Sequence, residues 1–267
     1  MIFTVAKNRE EFVRATMLCR SLRNPGGVKG GVVICAPSEV INSDYFALLI
    51  KKSAGDFTTY ETDQQVSVMP PDWPQELCDA AVKIQLLRSW INVDPYIGYL
   101  HPNTLCVRPL ETFLARRVGG SAVVLSHEPV LMQPKFLHES GDHNSFMTPE
   151  EKTKAEDEEL ECLSARFVFA SKSSTSEGFM AKWLDIFRSG YLRGRAFLTR
   201  DASALNALAV RSMSVPSWDY IQEGFVRFGH PEPWIRVHPW THFISFMGKG
   251  DGMEQTYSQL EAGKLLW

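Results

Sequence analysis

What the chain lacks narrows its class first. No stretch approaches the roughly 20 consecutive apolar residues that a transmembrane helix needs. The opening "MIFTVAKNREEF" turns charged too early for a secretory signal. Basic excess is missing as well. There are 28 Lys and Arg against 31 Asp and Glu, a formal net charge of −3, which gives no global footprint for nucleic acid but leaves a local basic groove open. The five cysteines (Cys19, Cys35, Cys78, Cys106, Cys162) show no C-x-x-C spacing. Their odd number and scatter point to reduced thiols in a cytoplasmic compartment rather than a disulfide frame. No internal repeat is visible.

What is present suits one large α/β domain or two modest ones: 267 residues, 44% of them apolar. Short apolar runs such as "IFTVA", "VVICAP", "YIGYL", "AVVLSHE" and "ARFVFAS" read as buried strands. Helical patterns lie between them. The clearest is "PPDWPQELCDAAVKIQLLRSWI", with Leu77, Ala80, Ala81, Ile84, Leu87 and Ile91 on one face and Pro74 suited to a first turn. A second, "STSEGFMAKWLDIFRSG", turns Phe179, Met180, Trp183, Leu184 and Phe187 inward. The alternation predicts a mostly parallel sheet flanked by helices. Residues 138–161 break the pattern. They are polar and acidic, and read as a loop, lid or exposed helix. The last third is aromatic and loop-like.

The stretch "YLHPNTLCVRPL" (Tyr99 to Leu110) is the most informative. An apolar strand ends at Leu100 and delivers His101 and Asn103, one residue apart, at its tip. Ligands of open α/β sheets sit at such carboxyl ends. An Asp-x-Asp here would suggest a divalent cation and a phosphate; the chain has His-x-Asn. The plainer reading is a capped loop with Pro102 as a rigid turn.

Three segments, in order, resemble glycosyltransferase family eight, the glycogenin-like and lipopolysaccharide-galactosyltransferase-like enzymes. In "KIQLLRSWINVDPYIGYLHPNTLCVRPLETFL", Leu100, Thr104, Pro109 and Leu110 fit the family pattern, and Lys83 stands about where its basic residue belongs. In "RDASALNAL", Asp201, Ala204, Leu205 and Asn206 fit. In "THFISFMGKG", His242, Phe243, Gly248 and Lys249 fit. The resemblance implies a single GT-A type (Rossmann-like) domain over residues 1–267, with the aromatic C-terminal segment completing the site. It further implies transfer of a sugar from a nucleoside diphosphate, often UDP, to an acceptor with retention, and Mn²⁺ held by two Asp and a late His. Here the two Asp positions carry His101 and Asn103. Ala202 and Ser203 replace the polar pair after Asp201, and Leu163 to Arg166 replace a Phe-Asn-x-Gly stretch.

Such chemistry leaves negative charge on a departing diphosphate, which something positive and preorganised must meet. One solution is a cation on His101, Asn103 and His242. Without carboxylates this set shifts preference toward metals that accept imidazole, with Mn²⁺ affinity falling below about pH 6.5 as the rings protonate. The other solution uses no metal, with Lys249, Lys83 and a protonated His101 or His242 gripping the phosphates directly. Asp201 reads as a helix N-cap and, by the resemblance, as the contact for the donor sugar; with Lys249 it is the catalytic candidate. Lys7 and Asn8 stand where the family holds base and ribose, or are ordinary helix-entry residues. His127, Glu128, His138, Asp142 and His143 match no rigid metal spacing.

Two function classes remain in view. One is a glycosyltransferase acting on a glycan, protein, small molecule or modified nucleic-acid base. The other is a non-catalytic relic of the fold that binds a sugar nucleotide or a protein. A nucleotidyltransferase would need a Gly-rich basic loop after the first strand, which "AKNREEF" does not supply.

Overall fold

Among the described residues ten strands appear in chain order: β1 (Ile2–Val5), β2 (Val32–Ala36), β3 (Thr58–Glu61), β4 (Tyr96–Leu100), β5 (Thr104–Cys106), β6 (Val123–His127), β7 (Leu163–Ser171), β8 (Trp218–Ile221), β9 (Val226–Gly229) and β10 (Phe243–Phe246). The computed structural model describes residues 1–73, 75–115, 122–127, 147–157, 163–192, 201–212, 218–221, 226–229, 241–246 and 252–264. Contacts divide the chain into two units, residues 1–64, 98–120 and 221–267, and residues 65–97 and 121–220. The fold class is α/β, with mixed but mostly parallel pairing and flanking helices.

In the first unit β3, β2, β1 and β4 lie side by side, all parallel, with Ile2 beside Val32 and Gly98, and Phe3 beside Tyr99. β1 and β2 are buried along their whole length, which is why they read as unbroken apolar runs rather than alternating ones. The helix Arg9–Arg23 follows β1. Asn8 Oδ1 accepts from the Glu11 amide at 2.9 Å, and the Glu11 carboxylate accepts from the Lys7 amide at 2.9 Å, a reciprocal N-terminal cap. Glu10 and Glu11 in the first turn, and Arg20 and Arg23 in the last, complement the helix dipole. Phe12, Ala15, Leu18 and Leu22 are buried as their spacing predicts. A Cβ at Gly26 would run into the Leu22 carbonyl oxygen and Cys106 Sγ, so glycine lets the chain pass close to β5. A small second sheet, β5-β10-β9, pairs β10 antiparallel to β5 and parallel to β9. Leu105, Val107, Ile244, Phe246, Met253 and Tyr257 form its core.

In the second unit β6 and β7 pair antiparallel, with a register shift between Leu125 and Ser126. That antiparallel pair fits the expected mixed, mostly parallel sheet. Helix Ser174–Leu192 packs on helices Gln75–Trp90 and Asp201–Ser212, and Asp201–Ser212 packs on β7. Leu77, Ala81, Ile84, Leu87 and Ile91 are buried, as are Phe179, Met180, Trp183, Leu184 and Phe187. Part of the polar stretch 138–161 is ordered structure: Pro149–Asp157 is a helix. It is capped by Thr148 and Glu151 and tied by Glu151 to Arg211 at 2.7 Å. Among the described residues no helix is long and apolar enough to cross a membrane.

Candidate functional site

The tip after Leu100 stands at the carboxyl edge shared by parallel strands β1 and β4. Continuing the Phe3–Tyr99 register sets Val5 beside His101, so the segment Ala6 to Asn8 and the segment His101 to Asn103 leave the sheet at the same edge. This is the edge where open α/β sheets take their ligands. His101 Nδ1 accepts from the Asn103 amide at 3.1 Å. With that lone pair committed, the ring proton of the neutral imidazole sits on Nε2, which is then a donor rather than a metal ligand. Asn103 is 2% exposed, and its carbonyl accepts from the Phe246 amide at 2.7 Å.

The β5–β10 ladder brings the tip and the late segment together, but in a register the sequence did not reveal. Ser245 lies opposite Thr104, Ile244 opposite Leu105 and Phe243 opposite Cys106. The Val107 amide donates to the His242 carbonyl at 2.9 Å. His242 is therefore four ladder positions from Asn103, about 13 Å along the strand. Its ring leans on Phe113, with centroids 5.7 Å apart, and donates to the Pro109 carbonyl. Burial pulls its pKa below the ordinary value. The Pro109 bond opposes that shift and the Arg108 guanidinium adds to it. His242 thus belongs to the packing of the small sheet, and the expected triad of His101, Asn103 and His242 does not converge. Next to the tip stands Ser245 instead, 2% exposed, its hydroxyl without a hydrogen-bond partner. Spacing alone could not find it, because the strand's register is set by β5, far away in the chain.

A divalent cation does not fit this donor set. His101 uses Nδ1 on the backbone, His242 is out of reach, and the tip from His101 to Arg108 holds no carboxylate. Among the described residues no group of three His, Cys, Asp or Glu could hold a metal. Lys249, the other expected phosphate contact, lies outside the described residues, as do His138, Asp142 and His143. Asn8 spends its side-chain oxygen on the helix cap described above, and Lys7 is exposed at the edge beside it.

In the second unit the expected residues Lys83 and Asp201 meet. Lys83, 5% exposed, forms an ion pair from Nζ to Asp201 Oδ2 and donates to the Ala165 carbonyl at 2.8 Å. Its ammonium also lies 5.6 Å from the centre of the Trp183 ring, a favourable cation–π placement. Trp183 Nε1 donates to the Asp201 carbonyl at 2.8 Å. Asp201 begins its helix, but its Oδ1 accepts from the next amide, Ala202, at 2.9 Å, not from one two or three residues on. Lys83 is thus the counter-ion of Asp201 rather than a spare cation for phosphate. Asn206, noted in the sequence only as a motif match, is a clamp. It accepts from the Leu163 amide at 2.7 Å, and donates to the Leu163 carbonyl at 3.0 Å and to the Ala202 carbonyl at 2.8 Å.

A separate cleft of about 520 Å³ opens at the far end of the Arg9–Arg23 helix, between Arg20, Arg23, Asp56, Tyr257 and Glu261. Its charges answer one another. Arg20 lies 3.7 Å from Asp56, and Tyr257 donates to Glu261 at 2.6 Å. Burial and that carboxylate push the Tyr257 hydroxyl up to about 12.

No protein-family model and no curated protein sequence matches the chain. Solved structures do. The bifunctional glycosyltransferase WbbM, in its apo form, matches with a TM-score of 0.65 at 9% identity, over 99% of this chain and 51% of that one. The galactosyltransferase LgtC, in complex with donor and acceptor sugar analogues, matches at 0.58 and 13% identity, over 99% and 95%. Mouse xyloside xylosyltransferase 1, in its apo form, matches at 0.57 and 10% identity, over 91% and 96%. The fold is that of GT-A glycosyltransferases. The chain spans about half of WbbM and nearly all of LgtC. At such identities the likeness speaks of the fold, and the chemistry has to be argued from the site.

Proposed function

We propose that this chain transfers a sugar from a nucleoside diphosphate sugar, of the UDP class, to an acceptor, with retention at the anomeric carbon. The observation that carries the reading is the tip His101 to Asn103, standing at the carboxyl edge of parallel β1 and β4 in a GT-A fold. In the reaction the bond from the anomeric carbon to the diphosphate oxygen breaks and the acceptor oxygen forms the new bond. The acceptor proton is released, and the diphosphate departs with the bonding electrons. The tip and Lys249 would meet that developing charge, which is where preorganised donors lower the barrier most. The test is release of free nucleoside diphosphate from UDP-, GDP- and ADP-sugars. Silence with all three overturns the reading.

One observation favours a second reading, a non-catalytic module that binds a sugar nucleotide or a protein. Both Asp201 carboxylate oxygens are already engaged inside the second unit. That reading predicts thermal stabilisation by nucleotide with no turnover in the presence of any sugar donor.

A further inference from the structure

We propose that the cleft at the far end of the Arg9–Arg23 helix is a second ligand site, one that takes a neutral saccharide through its hydroxyl groups. It stands apart from the donor edge. The helix has 15 residues, about 22 Å at 1.5 Å per residue, and the segment Ala6 to Asn8 enters at its other end. The cleft volume, about 520 Å³, falls within the roughly 300–1,000 Å³ of small-molecule sites. Three observations set the ligand class. The first is preorganisation. Arg23 is pinned by backbone carbonyls: Nε donates to Asp56 at 2.8 Å, and Nη1 donates to Val28 at 2.5 Å and to Gly30 at 2.8 Å. Arg20 is held by Nη2 on the Ser53 hydroxyl at 2.9 Å. Both guanidinium groups are thus placed before any ligand arrives, and each has more N–H groups than these bonds use. The second is open hydrogen-bonding capacity. Arg20 Nε and Asp56 Oδ2 face each other at 3.7 Å, beyond hydrogen-bond distance; a purely structural pair would have closed. Glu261 takes the Tyr257 hydroxyl on Oε1 at 2.6 Å, which leaves Oε2 to accept. The third is charge. Arg20 and Arg23 are balanced by Asp56 and Glu261 around the same cleft. A phosphate would meet two carboxylates there, and an ammonium two guanidinium groups. A hydroxyl both donates and accepts, so neighbouring hydroxyls bridge a guanidinium and a carboxylate with no charge left over. Pro25, Leu260 and the Tyr257 ring supply the apolar wall for the C–H face of a pyranose. Burial and Glu261 push the Tyr257 hydroxyl up to about 12, so it stays protonated and adds no charge at neutral pH.

The experiment is saturation-transfer NMR titration of the full chain with maltose, lactose and N,N′-diacetylchitobiose, with glycerol as the simple polyol and inorganic phosphate as a competitor. At least one disaccharide should bind at concentrations where glycerol does not. Asp56→Asn combined with Glu261→Gln keeps the shape of the cleft but replaces charge-assisted acceptors by weaker amides. Charge-assisted hydrogen bonds are about twice as strong as neutral ones, so the double variant should weaken disaccharide binding about tenfold. Glu261→Gln alone, at an exposed position, should weaken it about threefold, and it decides the question if the double variant does not fold. Absence of binding by all three disaccharides overturns the proposal. So does a folded double variant whose affinity changes less than about threefold, because the sugar then sits elsewhere. Glycerol binding as tightly as the disaccharides, or phosphate displacing them at equal concentration, overturns the saccharide as the ligand. None of these outcomes touches the sugar-nucleotide reading, which is tested with nucleotides at the opposite end of the helix.

Discussion

Lys83 and Asp201, 118 residues apart in the chain, form a part-buried ion pair beneath the Trp183 ring. Neither charge stands alone. The ammonium also meets the Ala165 carbonyl, and the carboxylate also meets the Ala202 amide. Breaking a pair of this kind from one side costs more than removing it whole, because the survivor stays buried and uncompensated. Lys83→Met should therefore lower the unfolding free energy by about 3 kcal/mol. The double variant with Asp201→Asn should recover a measurable part of it. Urea denaturation of the two variants checks this, and a double variant no more stable than Lys83→Met contradicts it.

The Asn206 clamp gives a second prediction. Its amide side chain pairs with both backbone groups of Leu163 in a buried setting, doing for the start of β7 what a neighbouring strand would do. Asn206→Ala leaves those groups without partners, a loss of about 2–4 kcal/mol. Asn206→Asp keeps the acceptor for the Leu163 amide but sets a carboxylate oxygen against two carbonyls, so it should not rescue. If aspartate restores full stability, the donated bonds contribute nothing.

His242 ties stability to pH. Its pKa is lowered in the folded chain, chiefly by burial, so between that value and the unfolded one, about 6.5, the unfolded chain binds more protons. The stabilisation is present above the unfolded value and drains away as pH falls through the folded one. His242→Gln removes the titration while keeping a donor for Pro109. The thermal midpoint of the variant should therefore fall less steeply than that of the parent chain below about pH 6.5. Parallel profiles would show that the imidazole carries no such linkage.

Much of this architecture is legible along the chain, because it rests on local chemistry. β4 ends where the apolar run meets His101 and Pro102. The Gln75–Trp90 helix follows its apolar stripe, and the Arg9–Arg23 helix begins at Asn8 because Asn, then Glu three residues on, satisfies free amides. Lys83 and Asp201 were both visible as single residues. Their pairing was not, since it depends on how three helices and β7 assemble. The error over His242 has the same origin. A His-Phe pair before a glycine and a lysine suggests a ligand, but only the β10 register on β5 decides which residues stand by the tip, and it sets Phe246 against Asn103 and Ser245 against Thr104. A one-residue slip turns a strand side chain to the other face. A three-residue offset also carries it about 10 Å along the strand. A mixed, mostly parallel sheet is legible, but not which pair runs antiparallel, since buried runs look alike in either direction.

The thiols offer a prediction that tests the packing without any ligand. Cys19, Cys35, Cys78 and Cys106 are free and buried. Burial drives the Cys35 thiol well above its ordinary pKa, and pushes Cys106 up to about 12, with a hydrogen bond from the Arg108 backbone easing it only in part. Cys106 also backs onto Gly26, where no side chain would fit. Only the thiolate attacks a disulfide reagent, so these four groups lack both access and ionisation. Ellman's reagent should therefore modify no more than one of the five cysteines in the folded chain, the one outside this set being Cys162. All five should react after unfolding in guanidinium. Fast reaction of two or more in the folded chain would show that the first unit opens at Cys19, Cys35 or Cys106, or the second at Cys78. Single cysteine-to-serine variants would then identify which.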